Sequence, residues 1–109
     1  MSAITGDWHL RMKTPIGTIE ADYRFTETLA GPIGTATGAG EEVVLRDITR
    51  AVVDSGERVT WRQSITKPLR LHLDFDVTVA GDRLSGYSRA GRLPRTQVSG
   101  ERTNPSAEG

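Results

Sequence analysis

The chain has 109 residues, which fits one domain with one core. Its 14 basic and 14 acidic side chains cancel and are interspersed, so no basic patch points to nucleic acid or an anionic membrane. It has no cysteine and only two histidines, His9 and His72, which excludes disulfides and thiolate chemistry and leaves too few ligands for a multi-histidine metal site.

Met1 to Gly6 lacks a basic start followed by an apolar stretch, so no signal peptide is expected. No run reaches the length of a membrane span. A cytoplasmic location is the resulting expectation, with no membrane or nucleic-acid partner.

Short segments of period two alternate with turn signals along the whole chain, the pattern of an all-β sandwich or barrel. The strands are expected at about 6–13, 17–26, 32–38, 42–53, 58–65, 69–79, 83–90 and 93–102. Thr14-Pro15, Leu29-Ala30-Gly31, Ala39-Gly40, Asp54-Ser55-Gly56, Lys67-Pro68, Ala80-Gly81-Asp82 and Gly91 separate them. Glycine supplies positive φ at such turns, and proline is tolerated at strand starts. Short connections pair sequential neighbours antiparallel. The expected fold is therefore an eight-stranded up-and-down meander barrel over residues 1–102, with a flexible tail over 103–109.

Parity sorts the side chains. In the sixth segment Leu69, Leu71, Leu73, Phe75, Val77 and Val79 share one face. Arg70, His72, Asp74, Asp76 and Thr78 share the other. A slip by one residue would expose the whole apolar row. The same rule turns Trp8, Leu10 and Met12 inward in the first strand, and Ile19, Ala21, Tyr23 and Phe25 in the second. It also turns Val59, Trp61, Gln63 and Ile65 inward, as well as the small row Leu84, Gly86, Ser88 and Ala90. The fourth segment resists the rule. Val43, Leu45 and Asp47 oppose Val44, Arg46 and Ile48, so either choice points a charge inward unless a bulge intervenes.

Gly6-Asp7-Trp8 opens the first strand and Arg102 closes the last. This resembles the calycin signature of lipocalins, fatty-acid-binding proteins and avidins. The resemblance implies that Trp8 plugs one end of the barrel with Arg102 stacked on its ring, and it turns Thr96, Val98 and Gly100 inward. Gly31-Pro32-Ile33-Gly34-Thr35 is similar to an avidin third strand, but no set of biotin-contacting residues accompanies it.

The expected function is binding of a small, largely apolar molecule inside the barrel, with no cofactor. The expected lining is Leu10, Met12, Tyr23, Phe25, Trp61, Gln63, Leu73, Phe75 and Ser88, with Tyr23, Gln63 and Arg46 orienting the ligand. Trp61 and Phe75 fit pure core as well as pocket wall. A cofactor-free cyclase or isomerase is the alternative, with Tyr23 or Asp47 moving a proton and Arg46 stabilising negative charge. A filled barrel working through its outer wall is the third reading. There Val43 or Val44, Leu93 and Ile16 would offer scattered positions for a homodimer. His72, Asp74 and Asp76 line up on one strand face, which is expected to be solvated surface. No Gly-x-Ser-x-Gly elbow and no phosphate-binding loop are present.

Overall fold

A computed structural model describes residues 3–14, 17–66 and 70–103. Pro15, Ile16, Leu69 and the tail over 104–109 lie outside the described residues. The Thr103 amide donates to the Asp7 carbonyl at 3.0 Å.

The described chain is all β. It runs β1 Gly6–Thr14, β2 Gly17–Thr28, β3 Gly31–Gly38, β4 Glu41–Val44, β5 Arg46–Val53, β6 Gly56–Ile65, β7 Leu71–Ala80, β8 Arg83–Arg89 and β9 Thr96–Arg102. All pairings are antiparallel, and the order across the sheet is β4-β3-β2-β1-β9-β8-β7-β6-β5. Pairing of β1 with β9 curls the meander into a nearly closed barrel.

The strand count corrects the expectation of eight. The segment over 42–53 is two strands with different partners. Val44 still pairs with Thr35 of β3, and Leu45 N donates to Gly34 O at 2.9 Å. From Arg46 onward the chain pairs with β6. Leu45 is the hand-over point and its side chain is buried. The register slips between Arg46 and Thr49, and Asp47 carries φ +53°. This bulge removes the parity conflict: both Arg46 and Asp47 lie on the exposed outer wall.

The seam between the β4 and β5 edges is bridged by side chains. Arg50 Nη1 of β5 donates to Glu27 Oε1 of β2 at 2.7 Å. The Thr66 amide and hydroxyl, just past β6, donate to the Glu41 carboxylate at the start of β4.

Elsewhere the two-residue rhythm places side chains as parity requires. Trp8, Leu10 and Met12 are buried on β1, Tyr23 and Phe25 on β2, Val59, Trp61 and Gln63 on β6, and Phe75, Val77 and Val79 on β7. The small residues of β8 have separate roles. Gly86 makes a close backbone approach, since a Cβ there would lie 2.1 Å from the Asp76 carbonyl oxygen. Ser88, and Ala90 just past the end of β8, instead face open space.

The polar row of β7 lies outside and is tied to neighbouring strands. His72 bonds Ser64, Asp74 pairs with Arg62, and Asp76 pairs with Arg58. The Arg58 guanidinium holds the Asp76 carboxyl below its ordinary range. On β1, His9 lies between Asp22 at 2.8 Å and Glu20 at 2.6 Å.

Candidate functional site

The two ends of the barrel are built differently. At the end formed by the start of β1 and the end of β9, Trp8 is fully buried and donates its indole N–H to the Ile4 carbonyl at 2.8 Å. Trp8 and Arg102 are cross-strand partners. The guanidinium carbon sits 4.4 Å from the Trp8 ring centroid. Arg102 also donates to Thr5 O at 2.7 Å, Ala3 O at 2.8 Å and Asp82 Oδ1 at 2.9 Å. Its charge is thus matched while its plane covers the ring. Gly6 makes room for it: a Cβ there would lie 2.7 Å from Arg102 Nη1, and φ is +128°.

An aromatic layer crosses the middle of the barrel. Trp61 and Phe75 stack at 4.8 Å between centroids, and Phe25 meets Trp61 edge-on at 5.2 Å. Tyr23 packs 5.7 Å from Trp61 and 6.2 Å from Phe75. These arrangements follow the ring quadrupole.

Beyond this layer the interior opens into a cavity of about 340 Å³, near the lower end of the ~300–1,000 Å³ common for ligand pockets. Met12, Ile19 and Ala21 line one side. Val43, Ile65 and Leu73 line the facing side, with Ala90 and Leu93 near the mouth. Among the described residues, Thr14 at the end of β1, Ala39 after β3, Ile65 at the end of β6, and Ala90 and Leu93 after β8 border the opening.

The polar groups of the cavity form a small set. Gln63 is only 4 % exposed and Ser88 only 3 %. Tyr23 Oη, reaching across from β2, donates to Gln63 Oε1 at 2.9 Å. Trp61 Nε1 donates to the same oxygen at 2.9 Å. The indole N–H can only donate, so the atom facing it must be the amide oxygen. Burial pushes the Tyr23 phenol far above its ordinary range, and the hydrogen bond to Gln63 opposes this only in part. The phenol is therefore neutral at all physiological pH.

The residues proposed from sequence divide by height in the barrel. Met12, Tyr23, Gln63, Leu73 and Ser88 line the cavity. Leu10, Phe25, Trp61 and Phe75 are buried in the packed core beneath it and do not line it. Arg46 and Asp47, offered as ligand-orienting and catalytic groups, are outside the barrel; Arg62 lies 3.8 Å from Asp47. That withdraws two of the three groups assigned to a cyclase.

Sequence reasoning missed Ala36, Val43 and Arg95 as lining residues. Val43 was undecided because its strand broke parity. Inward Thr96 and Val98 put Arg95 outside by parity. Its guanidinium lies 4.5 Å over the Tyr87 ring while the residue borders the cavity mouth. Inward parity beside a turn was the available signal for Ala36.

Among the described residues, no group of three or more His, Asp or Glu side chains is placed to hold a metal ion. Comparison with protein-family models, curated proteins and solved structures gives no match for this chain.

Proposed function

We propose that this protein binds a small, largely apolar molecule in the open half of its barrel. The observation that carries this reading is the cavity itself: about 340 Å³, walled by Met12, Ile19, Val43, Ile65 and Leu73 above a packed aromatic floor. Side chains fill the opposite half, so the open space is local rather than a general looseness of the core. Transfer of apolar surface from water into such a space is favourable by about 25 cal/mol per Å².

A calycin-like relationship belongs to the same proposal. It is supported by the nearly closed meander and by Arg102 stacked over Trp8. The cyclase alternative has only Tyr23 left of its named groups, and that phenol is held as a neutral donor to Gln63.

Methyl nuclear magnetic resonance tests the binding reading with naphthalene as an apolar probe. The methyl groups of Met12, Val43 and Leu73 should shift on titration, while those of Val59 and Val79 in the sealed half should not. Uniform absence of shifts at solubility-limited naphthalene, and with the longer-chain probes described below, removes the proposal.

A further inference from the structure

The cavity floor carries a polar feature that its own fold does not use. Gln63 Oε1 accepts from both Tyr23 and Trp61, and the obligate donor at Trp61 fixes which end of the amide is oxygen. The other end is an NH₂ group with two donors. It has no hydrogen-bond acceptor among the described residues, although Gln63 is 4 % exposed and lines the cavity. Buried donors are ordinarily satisfied, so this group calls for an acceptor from outside the chain. The Ser88 hydroxyl, 3 % exposed and lining the same cavity, also has no side-chain partner among the described residues.

The charge of the expected acceptor follows from what surrounds it. The residues at the floor are Tyr23, Gln63, Ser88 and apolar side chains. Of the charged lining residues, Glu41 starts β4 and Arg95 precedes β9, both at the mouth, while Glu20, inside β2, turns its carboxylate to His9 on the exposed wall. Glu20 is engaged by His9, Glu41 by Thr66, and Arg95 lies over Tyr87. A carboxylate driven to the floor would lose its hydration with no cation to replace it, which disfavours it strongly. A neutral carbonyl has only its oxygen to satisfy, and an amide N–H does that.

We propose that the ligand is a neutral carbonyl compound with an apolar body, seated carbonyl-first on the Gln63 amide NH₂. This rests on the cavity-binding reading above and narrows it. The lone pairs of a ketone, ester or amide oxygen meet Gln63 Nε2, and the apolar body lies against Met12, Ile19 and Leu73. A fatty acid would enter the other way round, if at all, with its carboxylate at the mouth.

Three ligands of one carbon count separate the possibilities: methyl nonyl ketone, undecane and undecanoic acid. Affinities are compared after subtracting each molecule's own transfer from water to hexadecane. The ketone should then exceed undecane by about tenfold or more, because the cavity restores a hydrogen bond that hexadecane cannot. The infrared C=O stretch of carbonyl-labelled ketone, bound to the wild-type chain, should lie below its frequency in hexadecane. In a Tyr23→Phe/Gln63→Met variant, checked for its β signal by circular dichroism, the ketone's advantage and the frequency shift should both disappear. If that variant does not fold, the wild-type infrared measurement decides alone. A hexadecane-like carbonyl frequency, equal corrected affinities of ketone and undecane, or an uncorrected affinity for undecanoate above that for the ketone each overturns the proposal while leaving apolar binding intact. Failure of all three molecules and of naphthalene to bind overturns the cavity-binding reading itself.

Discussion

The sealed and open halves of this barrel are lined by similar apolar residues, yet they end in different ways. At the sealed end the buried polar groups of the plug are partnered: Trp8 has the Ile4 carbonyl, and Arg102 has Thr5, Ala3, Asp82 and Gly81 and an aromatic face. At the open end Gln63 uses its oxygen twice and its nitrogen not at all among the described residues. One half spends its interior on packing. The other keeps about 340 Å³ unfilled above a layer of rings. Satisfied polarity and close packing mark the sealed half, while unfilled space beside an unsatisfied donor marks the half that the binding proposal concerns.

Truncation of the plug should give the largest effect. Trp8→Ala removes a fully buried indole and uncovers Arg102. A loss of about 3–5 kcal/mol is expected in urea unfolding. A loss below about 1 kcal/mol would mean that the sealed end is not the stabilising half. Gly6→Ala should cost about 1–3 kcal/mol, because it combines a positive φ with a Cβ placed 2.7 Å from Arg102 Nη1. In an Arg102→Ala background only the backbone component should remain, so the two substitutions should be non-additive.

A matched pair sharpens the contrast between the halves. Val79→Ala in the sealed half opens a new void, with an expected cost of about 2 kcal/mol. Val43→Ala enlarges space that already exists, and about 1 kcal/mol or less is expected there. Equal costs by thermal or urea unfolding would remove the distinction.

The smallest effect is electrostatic. Hydrogen bonds from Asp22 and then Glu20 raise the His9 pKa above 6.5. Protonated His9 thus favours the folded state. Its contribution is fully present below the unfolded pKa and is lost as pH rises through the higher folded value. Wild type should lose stability relative to His9→Gln as pH rises from below the ordinary histidine value through the higher folded one, measured as paired urea midpoints. Asp76 acts in the opposite direction: its lowered pKa stabilises the fold above the unfolded value, and that contribution is lost as pH falls through the folded one.

Alternation alone assigns most side chains to a face. Leu73, Phe75, Val77 and Val79 can be read as one row from the letters, because a strand turns every second residue the same way. Trp8 with Arg102 is legible only through the resemblance carried by Gly6-Asp7-Trp8, and the pairing of β1 with β9 sets the two residues opposite each other. Arg46 and Asp47 are not legible. Whether a strand with charges on both faces bulges depends on which neighbour each half pairs with, and Leu45 changes neighbours midway.

What the sequence determined by itself is the all-β class, the meander order and the inward rows, because each follows from short-range geometry repeated along the chain. Height along the barrel axis is different. Phe75 and Leu73 are two residues apart on one row, yet one lies in the aromatic layer and the other on the cavity wall. Strand tilt and register set that height, and both come from closure of the sheet rather than from any single strand. Tertiary structure likewise decided that Tyr23 and Trp61 reach the same oxygen of Gln63 and leave its nitrogen to the cavity. That meeting joins β2 to β6 across the barrel, a distance no local pattern encodes.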